Sequence, residues 1–81
     1  MSQYFFHLRE PGCYCADEEG RDFVDSAAAI KFAIVCLREM SASDARAGLI
    51  QCSRTIEVQQ EEGGPLATIR FDDAVKLRTA R

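Results

Sequence analysis

Tyr4-Phe5-Phe6-His7-Leu8 is the densest apolar and aromatic run in the chain, and its reading decides the fold. A run this rich in aromatics, closed by Arg9-Glu10-Pro11-Gly12, has the composition of a strand ending in a turn. Alternation along a strand places Tyr4, Phe6 and Leu8 on one face and Phe5, His7 and Arg9 on the other. The first face suits an amphipathic helix laid across it.

Outward from this strand, set at about residues 3–9, Pro11-Gly12 is turn material and residues 13–16 return as a short second strand. The loop of that hairpin is expected to hold about four residues. Asp17-Glu18-Glu19-Gly20 then forms a solvated turn with a positive φ at Gly20. Arg21 to Val24 is a short extended approach to the next element. Asp25 or Ser26 caps a helix over about residues 26–47, with Gly48 as its stop and Arg46 near its C-terminus. Ala27, Ile30, Ala33, Ile34, Leu37 and Ser41 make a stripe at helical spacing, and Phe32, Val35 and Cys36 widen it. Ser41-Ala42-Ser43-Asp44 is the place where the helix would kink or re-cap. A second hairpin follows, with strands at about 53–60 and 66–71. Ile56, Val58, Ala67, Ile69 and Phe71 face inward; Thr55, Glu57, Gln59, Leu66, Thr68 and Arg70 face outward. Asp72-Asp73 can cap a brief helical turn, and a basic tail at 76–81 is expected to fray.

The resulting fold class is α+β: a ββαββ domain spanning 1–81, with a small antiparallel sheet of about four strands and one long helix packed on one face. About 21 helical residues reach ~32 Å, whereas a five- or six-residue strand reaches ~17–20 Å. The helix should therefore overhang its sheet. That overhang, with its apolar flank, points to a protein partner, most simply a second copy of the same chain.

Composition sets limits on function. A chain of 81 residues that is 47% hydrophobic and 28% charged is globular, and a net charge of −3 argues against sequence-independent binding to phosphate backbones. No stretch has the form of a signal peptide or of a ~20-residue membrane span, so a cytoplasmic location is expected. Cys13, Cys15, Cys36 and Cys52 are then free thiols. Cys13 and Cys15 sit two apart on one strand face, with Cα atoms ~6.5–7 Å apart, at or past the disulfide limit.

The residues YFFHLR at 4–9, DEEG at 17–20, the alanine-rich helix, RTIEV at 54–58 and FDDA at 71–74 together resemble a family of small bacterial proteins of unknown function, about 80 residues long. The resemblance covers nearly the whole chain and implies no activity, cofactor or catalytic residue. Where that family has an Asp-Gly type of hairpin, this chain has Pro11-Gly12 flanked by Cys13 and Cys15. In architecture alone the order of elements is also similar to antitoxin subunits of the HicB type.

Each candidate site has a plainer reading beside it. His7 could serve as a general base or a ligand, but no Ser, Cys or Asp is placed by sequence as its partner. Asp17, Glu18 and Glu19 could hold a cation, yet the alternating ligands and closing Glu of an EF-hand loop are missing. The four cysteines lack the C-x2-C spacing of a zinc site and read as small hydrophobes, so a redox or metal role for Cys13 and Cys15 stays open. No catalytic residue, cofactor or metal is expected. Phe5, His7, Arg9, Phe32, Val35 and Arg70 form the candidate interaction surface. The expected role is a non-catalytic interaction module, a homodimer or adaptor acting through open strand edges and the helix flank. The alternative is an antitoxin- or regulator-like protein that contacts nucleic acid through the outer sheet face. That face offers one aromatic, few bases and Glu57, which disfavours it.

Overall fold

The computed structural model describes residues 1–78. Its centre is β1 (Ser2–Glu10), which pairs on one side with β4 (Thr55–Gln60) over six successive positions, from Tyr4 opposite Gln60 to Arg9 opposite Thr55. On its other side β1 meets two short strands placed end to end. β2 (Cys13–Cys15) pairs with Leu8–Glu10, and β3 (Arg21–Phe23) pairs with Ser2–Tyr4. β5 (Gly64–Ile69) pairs with β4 and forms the far edge, so the sheet is antiparallel with five strands rather than about four. The additional strand is the segment expected only to be extended. Three residues carry too little alternation to reveal pairing, and β3 becomes a strand because β1 offers it a free backbone edge.

Several boundaries move for physical reasons. β1 runs through Glu10, so the first hairpin closes on Pro11 and Gly12 alone instead of four residues. Pro11 followed by Gly12 at φ 73° matches the sequence pattern of a type II turn. Ser53 and Arg54 lie outside β4. β5 starts at Gly64, two residues before the expected 66, and ends at Ile69 because α2 (Phe71–Ala74) begins directly afterwards. The Asp73 carboxylate accepts from the Arg70 backbone N–H at 2.8 Å, which turns the chain into α2 and leaves Phe71 buried but outside the strand. Residues 76–78 have no regular structure, and the remainder of the tail at 76–81 lies outside the described residues.

α1 (Ser26–Ala47) is capped by the Asp25 carboxylate, which accepts from the Ala28 N–H at 2.9 Å, and it stops at Gly48 with φ 94°. Its buried residues are Ala29, Ala33, Leu37 and Ser41. Ala27 is exposed, and Ile30 and Ile34 flank the contact, so the stripe is turned from its expected axis. Small residues at Ala29 and Ala33 let the helix backbone approach the sheet closely, with the branched side chains packing to either side. Tyr4, Ile56, Val58, Ile69 and Ala74 complete the core, with Phe6, Leu8 and Phe23 against it.

The helix continues through Ser41–Asp44 as one uninterrupted element. Asp44 instead ties down the chain beyond the helix. Its carboxylate takes two hydrogen bonds from the Arg54 guanidinium, at 2.8 and 3.3 Å, and one from the Gln51 N–H at 3.1 Å. Arg54 also reaches Glu10 at 3.2 Å, joining helix, loop and β1. The Arg54 side chain and the Gln51 N–H hold the Asp44 carboxyl below its ordinary value. Among the described residues no helix is long and apolar enough to cross a membrane.

Candidate functional site

The helix covers one face of the sheet and leaves the other open. Alternation along β1 sends Phe5, His7 and Arg9 to that open face, where Tyr14 of β2 and Glu57 and Gln59 of β4 join them. The Phe5 and His7 rings lie parallel with centroids 6.4 Å apart, and Tyr14 stands 6.0 Å from His7. The Arg9 guanidinium sits 4.6 Å from the Tyr14 ring centre and donates to Glu57 at 2.9 Å. Beside this row runs a shallow trough of about 450 Å³, lined by His7, Tyr14, Gln59, Leu66 and Thr68 among others.

His7 has partners on both ring nitrogens. The Asp17 backbone N–H donates to Nδ1 at 3.0 Å, so Nδ1 is the acceptor. The proton then sits on Nε2, which donates to Gln59 Oε1 at 2.9 Å. This arrangement holds the ring in place and leaves neither nitrogen free for a substrate.

Asp17 is the residue that sequence reasoning undervalued. One carboxylate oxygen accepts from the Phe6 N–H at 3.1 Å; the other accepts from Glu19 and Gly20, each at 3.2 Å. Phe6 lies in the gap between the β3 and β2 pairings, where among the described residues the outer edge of β1 has no strand beside it. A side chain thus supplies the acceptor that a strand would have supplied. Partial burial alone would raise the Asp17 carboxyl. The N–H donors of Gly20, Phe6 and Glu19, helped by nearby His7, outweigh burial and hold the group below its ordinary value.

Gly20 makes the turn possible. At φ 72° it occupies the left-handed region, and a Cβ there would stand 2.8 Å from Phe5 Cε1 and 3.0 Å from Gln3 Cγ. An Asp three residues before a Gly is a signal for such a turn, readable in the sequence. Its reach to Phe6, eleven positions away, is not.

The six residues of the candidate surface do not gather in one place. Phe5, His7 and Arg9 share the open face. Phe32 packs against Phe6 and Phe23, at centroid distances of 5.1 and 5.2 Å, on the helix side, and the Arg21 guanidinium lies 4.8 Å from its ring centre. Val35 is exposed on the helix, and Arg70 is exposed at the end of β5. Tyr14, Leu66 and Thr68 belong to the open face and were absent from the set. Of the cysteines, Cys36 is half-buried against the core; Cys13, Cys15 and Cys52 are exposed. Among the described residues no three His, Cys, Asp or Glu side chains group as a metal site.

Neither a curated protein nor a solved structure matches the chain. A family model does match, over residues 3–72, a span that takes in β1 almost entirely and every later element through the start of α2. The likeness read from the sequence, to a family of unknown function, holds at that level. The chain belongs to the family described as Domain of unknown function (DUF6894).

Proposed function

We propose that this chain is a non-catalytic interaction module that pairs with a second copy of itself through the outer edge of β5. The observation that carries this reading is the charge pattern around that edge. From Gly64 to Ile69 the strand bears no charge; Glu61 and Glu62 precede it and Arg70 follows it, all three exposed. Antiparallel pairing of two β5 strands about a two-fold axis at Leu66 sets the exposed Leu66 side chains side by side. The same register brings Arg70 of each copy to the acidic turn of the other. In this register Pro65 stands opposite Ala67 of the other copy and withdraws one donor from each half of the ladder.

A strand pair alone buries less than the ~1,200 Å² of a stable interface. An apolar groove of about 230 Å³ between α1 and the segment that follows β5, lined by Ala42, Ala45, Ile50, Phe71 and Val75 among others, offers further surface. Nucleic acid finds less support, because Arg9, the base on the open face, is already held by Glu57.

The test is the solution mass of the reduced protein by light scattering across a dilution series. A mass of twice the chain is expected, falling to that of the chain for Leu66→Lys and for Arg70→Glu. Combining Arg70→Glu with Glu61→Lys and Glu62→Lys should restore the pair. A single-chain mass at every concentration would sink the proposal.

A further inference from the structure

Cys13 and Cys15 lie on the same face of β2, opposite to Tyr14, and both are exposed. Their sulfurs stand 3.8 Å apart. Two thiolate sulfurs bound at ~2.3 Å to one tetrahedral ion, at an angle of about 109°, are separated by ~3.8 Å. The pair already has the bite of a tetrahedral chelate. It is poorly set for a disulfide, since alternate residues of a strand hold their Cα atoms ~6.4–6.8 Å apart, at the far limit for that bond.

The geometry points to an intrachain site for a thiophilic divalent cation of the Zn2+ and Cd2+ class, held by Cys13 Sγ and Cys15 Sγ at the tip of the first hairpin. Three features hold the sulfurs in register. Glu10 pairs with Cys13 and Leu8 with Cys15 across the hairpin. The two-residue turn at Pro11-Gly12 leaves little slack between the strands. On the opposite face, Tyr14 is pinned by the Arg9 guanidinium. The surrounding charge is that of Glu10, itself bound by Arg54 at 3.2 Å, so a negative group stands across from Cys13 and is partly neutralised.

Binding exchanges protons for the ion: two thiols and one divalent cation give one dithiolate chelate and two protons. Two protein ligands leave two positions of a tetrahedral ion to water, so the bound ion is exposed and exchangeable. A soft cation is selected over Mg2+ or Ca2+ because the donors are sulfur.

The experiment is a titration of the full, reduced chain with Cd2+, followed by the sulfur-to-cadmium charge-transfer absorption and by proton release. One ion per chain and about two protons per ion are expected. Cys13→Ser and Cys15→Ser should each lose the band, whereas Cys36→Ser and Cys52→Ser should keep it. Alkylation of the unmutated protein gives an independent readout: Cd2+ should protect Cys13 and Cys15 from modification and leave Cys52 reactive. A band that survives in either of the first two variants, half an ion per chain, protection of Cys52, or no band at all would each overturn the site.

Discussion

On the β2–β3 side of the sheet, the outer edge of β1 is answered within the chain. β3 takes Ser2–Tyr4, the Asp17 carboxylate takes the Phe6 N–H, and β2 takes Leu8–Glu10. On the other side β5 presents six residues to which, among the described residues, no further strand is added. An exposed edge is a site of unwanted association, and short strands, turns and charges are ways of closing it. The first edge uses all of these: two three-residue strands separated by an acidic turn that folds back onto β1. The second uses only Pro65 and a register irregularity where β4 passes from Val58 to Gln59. One edge is thus closed within the chain, and the other is the edge through which we propose that two copies pair.

The contrast breaks most readily at Asp17. Asp17→Ala removes the acceptor of three backbone N–H groups and strands the one on Phe6. A loss of about 2–3 kcal/mol is expected, or a fall in Tm on the order of 10–20 °C for a domain of this size. Thermal unfolding followed by circular dichroism measures it, and an unchanged Tm would mean that the turn does not close this edge. Gly20→Ala should follow at about 2 kcal/mol, because it combines a left-handed backbone with a Cβ too close to Phe5.

Acid unfolding tests the same carboxylate without deleting it. The folded Asp17 carboxyl titrates below its unfolded value, so its contribution is complete above about pH 4 and disappears as pH falls through the folded value. Asp44 acts in the same direction. Asp17→Asn should therefore be less stable at neutral pH and lose less stability on acidification than the parent. Parallel pH profiles for the two proteins would contradict the clasp.

His7→Phe keeps an aromatic ring beside Phe5 but leaves the Asp17 N–H without its acceptor. About 1 kcal/mol of destabilisation is expected by urea denaturation. The smallest effect on folding belongs to the open edge. Leu66→Lys should change monomer stability by less than about 0.5 kcal/mol, because the residue is exposed, while shifting the solution mass. If Leu66→Lys instead unfolded the protein, β5 would be a structural edge like the other, and the contrast would disappear.

Much of this architecture was legible in advance. The aromatic run at 4–8 marked the first strand and its two faces because a period of two is stamped on the side chains themselves. Asp25 and Gly48 marked the helix ends because capping is local chemistry, satisfied within three or four residues. The outward and inward residues of β4 followed from the same alternation, and the positive φ at Gly20 from its place after three acids. Local patterns of this kind need no knowledge of the rest of the chain.

What tertiary structure alone decided were the contacts that join distant positions. The sequence 21–23 became β3 only because β1 had an unfilled edge. The helix turned onto Ala29 and Ala33 because close approach to the sheet favoured small residues over the larger Ile30 and Ile34. Asp17 found Phe6 and His7, and Asp44 found Arg54, across ten or eleven residues that fold back in space. Cys13 and Cys15 were legible as a pair, but their 3.8 Å separation was not. Sequence spacing specifies which face a side chain takes. Backbone groups left without partners then determine what it must reach, and that becomes visible only when the strands are in place.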